Sequence, residues 1–302
     1  MIESNTISQI DSNKLDFIPL GICENIAGNY DNYLQTTMSH IIKIKKFEKN
    51  KFGTSQIPLP TPSPSRNFFE TDKKILLLDL DETLIHADFF EENPENSKIK
   101  YDGIISFYTL EPINDNNNHN HNDIPDNNTT DDESKDDSCE KVLNKVGIFL
   151  RPKVREFLKE ISSYFELGIF TASIPEYADA AINYLDPEEK IIKFRLYRND
   201  CVNIENLVKI KDLRIFGENN LNRIVLLDNN IYSFSAQLSN GILINSFFCD
   251  KEDDELSNVK KYLIEYIYPS NDVRKINEQF FGFETIFNEF AKIHFWFIYL
   301  FI

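Results

Sequence analysis

The chain has 302 residues, and 32 Lys+Arg against 49 Asp+Glu give a formal net charge of −17. That acidic balance excludes generic binding to nucleic acid, because phosphate contacts need a surplus of Lys and Arg. A hydrophobic share of 41%, with 25 Phe and 13 Tyr, excludes a wholly disordered chain and allows one large domain with tails.

Residues 1–70 read as a weakly ordered lead, with a lysine cluster (Lys43, Lys45, Lys46, Lys49, Lys51) and the alternating prolines Pro58, Pro60, Pro62 and Pro64. The proline spacing favours an extended linker, which puts a domain boundary just after it. Ile75 to Leu80 is a continuous apolar run, as a strand buried on both faces requires. Residues 111–140 hold ten acids, one lysine and eight asparagines, or −9 of the total charge, so they form a low-complexity insert with nothing to pack. His119 and His121 within it read as part of a solvated tract. Val146 to Leu150 reads as a strand, and Arg151-Pro152 opens a helix whose apolar face is Val154, Phe157, Leu158 and Ile161. Glu166 to Phe170 is again strand-like, and Ser173 with Glu176 forms a capping box, with Pro175 in the first turn of the helix that follows. Ile224 to Leu227 and Ile242 to Ile244 read as further strands, and Leu256, Val259, Lys260, Leu263, Ile264 and Ile267 line a final helix. Alternating strands and helices predict an α/β fold, a Rossmann-like, mostly parallel sheet with helices on both faces.

In such sheets ligands bind at the carboxyl ends of the strands. The sequence places Asp79-Leu80-Asp81-Glu82-Thr83, Phe170-Thr171-Ala172-Ser173 and Asp228-Asn229-Asn230 at three of those ends. Two carboxylates two residues apart can divide the labour, one attacking phosphorus to give an acyl phosphate and the other moving protons. Carboxylates crowded beside a phosphate need a cation, and Asp79, Asp228 and Asn229 offer the oxygen ligands that Mg2+ prefers. Lys211, just before the Ile224 strand, is placed to complete the charge balance. Taken singly, each of these residues is better explained as a turn former, a cap or a solvated side chain. Their joint occurrence at successive strand ends favours chemistry.

The string Leu78-Asp79-Leu80-Asp81-Glu82-Thr83-Leu84-Ile85-His86 resembles the signature of the haloacid dehalogenase superfamily. More closely, it resembles the superfamily's branch of RNA polymerase II C-terminal-domain phosphatases, the small C-terminal-domain phosphatases or NLI-interacting-factor-like proteins. Leu150-Arg151-Pro152, Phe170-Thr171-Ala172-Ser173, Tyr177-Ala178-Asp179, Lys211-Asp212-Leu213 and Leu227-Asp228-Asn229 follow in that family's order, and the resemblance spans about residues 72–268. It implies Asp79 as nucleophile and Asp81 as general acid/base, with the Asp81 main-chain carbonyl also on the metal. It further implies Thr171 and Lys211 as holders of the phosphoryl group, and Asn229 as an Mg2+ ligand with Asp228 beside it. Asn230 and Ile231 stand where relatives often have Ser-Pro, so the loop after Asn229 is expected to differ. Tyr101 to Leu110 and Val142 to Leu150 should form a small β-hairpin cap carrying the acidic insert, which would repel acidic phosphopeptides.

The resulting division is a lead over 1–70, a phosphatase domain over 71–270 with its insert at 111–140, and an aromatic tail over 271–302. The expected activity is that of an Mg2+-dependent protein serine/threonine phosphatase acting on a phosphorylated protein, with the RNA polymerase II C-terminal domain as candidate partner. The alternatives are a non-catalytic scaffold of the same fold, like a mitochondrial translocase subunit, and a small-molecule phosphatase. Retention of both Asp79 and Asp81 favours the enzyme. Four cysteines without Cys-x-x-Cys spacing and a start without a basic-apolar leader indicate a nuclear or cytoplasmic protein without a transmembrane span. Cys201 reads as a small buried hydrophobe and His86 as a support for its loop. The tail holds ten aromatics over residues 280–302, of which Phe283, Ile286, Phe287, Phe290 and Phe297 could share one helical face, as in a helix docked on a core or a partner. Oligomeric state is left open.

Overall fold

A computed structural model describes residues 41, 72–89, 94–112, 139–204, 208–288, 291 and 292. The proline-rich linker, the body of the acidic insert, His119, His121, Phe290 and Phe297 lie outside the described residues. From the lead, Ile41 is fully buried in the main core.

The central sheet is α/β, with five parallel strands in the order β10-β9-β1-β5-β6. These are β1 (Lys74–Leu78), β5 (Phe165–Phe170), β6 (Ile192–Leu196), β9 (Ile224–Asp228) and β10 (Gly241–Leu243). Leu76, Leu77 and Leu78 of β1 and every residue of β9 are buried, which is why both read as continuous apolar runs: a strand in mid-sheet has no solvent face. The chain leaves β1 for β5 and β6 on one side, then crosses back to β9 and β10 on the other. The winding therefore reverses at β1, and a crevice opens at that strand's carboxyl end.

Helix α1 (Val154–Ile161) buries Val154, Phe157, Leu158 and Ile161, the expected stripe, and packs beside α3 (Glu255–Tyr262). It begins two residues after Pro152, because Lys153 enters at φ 61°, in the left-handed region. The connection after β5 differs from expectation. Helix α2 (Pro175–Leu185) starts at Pro175, but its N-cap is Ile174 without a side-chain bond, and Ser173 does not close a capping box. The Ser173 hydroxyl is bonded elsewhere, as described below. The stripe predicted for the final helix is also interrupted, since α3 ends at Tyr262 and continues as a wide π-type turn, Leu263–Ile267.

The described residues after β10 belong to the same core. Helix α4 (Val273–Phe281) and the helical residues 283–288 bury Val273, Phe280, Phe281, Phe283 and Phe287, and the Phe280 ring lies 5.0 Å from that of Tyr262. Asn277, also buried, accepts a hydrogen bond from the Tyr262 hydroxyl at 2.8 Å and donates to the carbonyls of Ser239 and Gly241.

The cap is a three-stranded antiparallel sheet, β2-β4-β3, formed by β2 (Ile85–Asp88), β3 (Gly103–Pro112) and β4 (Cys139–Leu150). It contains the expected hairpin, widened by β2. Pro112 pairs with Cys139, so the insert leaves and rejoins the cap at one point. At about 3.3 Å per residue that root is some 36 Å along β4 from Leu150. A short antiparallel pair, β7 (Val202–Ile204) and β8 (Val208–Ile210), leads into Lys211.

Cap and sheet are tied by Arg151, a fully buried guanidinium. Its Nε and Nη2 donate to both oxygens of Asp253 at 2.8 and 2.7 Å, its Nη1 donates to the Thr83 carbonyl at 3.0 Å, and its face lies over Phe247. Removing one partner of a buried ion pair strands the other, at a cost of about 3–5 kcal/mol. Arg151→Met should therefore lower stability in urea by about that amount, and a loss under about 1 kcal/mol would show that the fork does not hold the loop.

Candidate active site

Asp79 follows β1 directly and stays in the ladder, donating its N–H to the Leu227 carbonyl of β9 at 2.9 Å. Beyond it the chain doubles back: Leu84 N–H bonds to Leu80 O, Glu82 N–H bonds to Ile85 O, and Glu82 sits at φ 56°. A non-glycine residue in that region costs about 1 kcal/mol, and such strain gathers where a loop is held for function. The turn brings Thr83 back over Asp79. The fully buried Thr83 hydroxyl lies 3.3 Å from Asp79 Oδ2 and 3.2 Å from Asn229 Oδ1, and its single proton is shared between them.

Lys211 reaches the same point from the other side. Its main chain is fixed by a 2.7 Å bond from its N–H to the Ser233 carbonyl. Next to it, the buried Asp212 caps the following turn by accepting from Arg214 N–H and binds the Arg214 guanidinium and Gln237. The Lys211 ammonium donates to Asp79 Oδ1 at 2.5 Å and Asp228 Oδ2 at 2.6 Å, and its side chain is only 1% exposed. Burial alone would lower its pKa, but Asp228 and then Asp79 hold it above the ordinary lysine value. Burial raises the Asp228 carboxyl above the usual carboxylate range in spite of Lys211, and Asp79 adds repulsion. One ammonium thus serves two acids, and with all three ionised the triad carries −1 in a site with little water.

The loop after Asp228 is closed by Asn230. Asn230 N–H donates to Asp228 Oδ1 at 2.8 Å, and the Asn230 side chain accepts from Tyr232 N–H at 3.1 Å to cap the 3-10 segment Ile231–Asn240. Asn229 is left to face Thr83, and its Nδ2 donates to Ser246 Oγ at 3.0 Å.

Asp81, two residues from Asp79, has other surroundings. Its Oδ2 accepts from Ser173 Oγ at 2.6 Å and its Oδ1 from the Tyr177 hydroxyl at 2.5 Å. Burial pushes its carboxyl up to about 6, Asp79 reinforces the shift, and the two hydroxyls work against it. Thr171 is buried at the end of β5, and its Oγ1 accepts the Ser173 N–H at 3.0 Å while keeping its own proton to donate.

The sequence-predicted residues therefore form two neighbouring groups. Asp79, Lys211 and Asp228 make an ion triad with Asn229 joined through Thr83, and Asp81 lies with Ser173 and Tyr177 beside Thr171. Thr83, Ser173, Tyr177 and Ser246 were not singled out as site residues. A spacing of four from Asp79 to Thr83 could have suggested the turn that brings them together. His86 Nδ1 lies 3.2 Å from Glu82 Oε1 and its ring packs near Phe149 and Phe248, in keeping with a supporting role. Burial pushes the Cys201 thiol up to about 12, which leaves no thiolate to attack at neutral pH.

Among the described residues no three His, Cys, Asp or Glu side chains group as a metal cage. The donors at the triad nevertheless fit a hard cation: the carboxylates of Asp79 and Asp228 and the Asn229 amide oxygen are all oxygen ligands. The uncompensated −1 of the triad has the sign that a cation offsets.

The family model for NLI interacting factor-like phosphatases matches residues 74–274. CTD small phosphatase-like protein 2 of Dictyostelium discoideum is 33% identical over 228 residues, 76% of this chain and 33% of that protein. CTD small phosphatase-like protein 3 of Caenorhabditis elegans is 38% identical over 137 residues, 45% of this chain and 47% of that protein. CTD nuclear envelope phosphatase 1B of Danio rerio is 28% identical over 244 residues, 81% of this chain and 86% of that protein. The chain thus spans less than half the length of the first two. Among the described residues no helix is long and apolar enough to cross a membrane.

Proposed function

Because the chain belongs to the NLI interacting factor-like phosphatase family, we infer that it is an Mg2+-dependent protein serine/threonine phosphatase that works through an aspartyl phosphate on Asp79. One observation carries this reading. Two carboxylates two residues apart are held in opposite environments, Asp79 on an ammonium and Asp81 on two neutral hydroxyls. Titratable groups whose surroundings diverge in this way divide into nucleophile and acid.

Asp79, aligned by its bond from Lys211, attacks phosphorus. The bond to the serine or threonine oxygen breaks, and the Asp81 carboxyl, held protonated further up the pH scale than an ordinary aspartate, gives its proton to that oxygen. Asp81, now a carboxylate, takes a proton from water as the water attacks phosphorus. The Asp79–phosphorus bond breaks, inorganic phosphate leaves, and both acids are restored. Lys211 and the Thr171 hydroxyl would hold the equatorial phosphoryl oxygens throughout. Asp79, Asp228, Asn229 and the Asp81 carbonyl would hold Mg2+, which when bound neutralises phosphoryl charge beside these acids.

The phosphorylated protein is the substrate class, with the RNA polymerase II C-terminal domain as the candidate implied by the motif resemblance, and the compartment is nuclear or cytoplasmic. Phosphate release from a panel of phosphopeptides and sugar phosphates, with and without Mg2+, tests the reading. Turnover of phosphopeptides with Mg2+ supports it. No turnover of any peptide would leave the scaffold, and a preference for sugar phosphates the small-molecule enzyme. Asn229→Ala, which deletes a neutral oxygen ligand and leaves the nucleophile, should raise the Mg2+ concentration for half-maximal activity about tenfold with kcat at saturating Mg2+ little changed. A fall in kcat with no change in Mg2+ dependence would remove Asn229 from the ligand set.

A further inference from the structure

We propose that Ser173 and Tyr177 are positioning residues that grip the two oxygens of Asp81 from one side and fix the direction in which its proton is presented to the leaving oxygen; this rests on the reading of Asp81 as the acid. The grip is geometric. Ser173 Oγ is 2.6 Å from Oδ2 and the Tyr177 hydroxyl 2.5 Å from Oδ1, so neither torsion of the aspartate side chain is free to turn. The two donors stand four residues apart, Ser173 just before the N-cap of α2 and Tyr177 in its first turn.

Each donor is itself fixed. Ser173 is held by its main chain, whose N–H donates to Thr171 Oγ1 at 3.0 Å and whose carbonyl accepts from Arg198 N–H at 3.0 Å. The Tyr177 ring is 2% exposed and wedged between Phe89 and Phe107 of the cap, with centroids at 5.1 and 5.6 Å. A structural role alone does not account for Ser173. Two residues before Pro175 and three before Glu176, its hydroxyl is placed by the local rule to cap α2, yet the helix starts on Ile174 uncapped and the hydroxyl goes to Asp81.

Because a hydroxyl can both donate and accept, the grip can persist whether Asp81 is a carboxylate or an acid. Releasing it would let the carboxyl rotate, so that the proton faces the ester oxygen for only part of the time. The defect would then fall on kcat and on substrates whose leaving group needs a proton. A serine alkoxide does; a para-nitrophenolate departs without one.

First-turnover rates, with enzyme in excess and Mg2+ present, should be compared on a phosphoserine peptide and on para-nitrophenyl phosphate. Tyr177→Phe and Ser173→Ala should each slow the peptide reaction about 10-fold or more and the aryl reaction less than about 3-fold, the loss of one hydrogen bond to a charged group. Ser173→Thr, which keeps the hydroxyl, should restore the peptide rate, and steady-state KM should not move. Melting temperatures identify a variant that has simply lost its fold, and Tyr177→Phe keeps the ring that the cap packs against. Equal losses on both substrates, or none on either, would overturn the proposal. Asp81→Asn separates the two levels of inference. If it too fails to discriminate the substrates, the acid assignment falls and the grip with it; if it alone discriminates, only the grip is wrong.

Discussion

Asp79→Asn should reduce phosphate release below about 10⁻⁴ of the wild-type rate while the protein melts at an equal or higher temperature. The loss follows from chemistry, since an amide of the same shape has no charge with which to attack phosphorus. The stability follows from the triad. Asp79 and Asp228 share one ammonium, so with both acids ionised the site holds a net −1 in a place where Asp228 is 1% exposed. The amide removes one of two mutually repelling acids and leaves Lys211 paired with Asp228 at 2.6 Å, a neutral pair instead of an excess charge. Its oxygen can still accept from Lys211 or Thr83. Phosphate release from the preferred phosphopeptide and a thermal melt on the same preparation give both halves of the result. Wild-type turnover in Asp79→Asn would disprove the assigned nucleophile, and a collapse in melting temperature would disprove the charge argument.

What could be read in the sequence was what local pattern encodes. A strand buried on both faces must be apolar throughout, so Ile75 to Leu78 and Ile224 to Leu227 announce themselves, and the polar residues that follow them mark the carboxyl ends where Asp79 and Asp228 stand. Lys211 is placed by chain order and by the resemblance of Lys211-Asp212-Leu213 to the family's motif. The contacts that define the site are not local. Ser173 is 92 residues from Asp81, Tyr177 is 96, and Lys211 is 132 from Asp79. For Ser173 the local rule and the tertiary partner made competing claims on one hydroxyl, which donates to Asp81 instead of accepting from the N–H groups of the helix start. The same cause hid β2 in the cap and the pair β7–β8: strands of four and three residues carry too few alternations to stand out from a loop. The loop after Asn229 is closed locally, since Asn230 bonds Asp228 through its main chain and Tyr232 through its side chain.

Lys211→Met should lower kcat about 100-fold or more and, unlike Asp79→Asn, destabilise the protein by about 3–5 kcal/mol. Methionine fills much of the volume of the lysine stem but leaves Asp79 and Asp228 facing each other without the ammonium that had joined them at 2.5 and 2.6 Å. With burial already raising Asp228, the loss of its cation pushes that carboxyl further up, toward holding a proton at neutral pH. The double variant Lys211→Met/Asp228→Asn separates the two consequences. Removing the second acid takes away the stranded repulsion, so most of the lost stability should return, as it does when a buried ion pair is replaced whole instead of being broken. The activity should stay low, because neither methionine nor asparagine can place a positive charge on the transferring phosphoryl group. Urea unfolding and steady-state kinetics at saturating Mg2+ on the single and double variants measure both effects. If stability and kcat recover together in the double variant, Lys211 serves only to neutralise its neighbours and has no part in holding the phosphoryl group; if neither recovers, Asp228 has a role in the fold beyond pairing with Lys211.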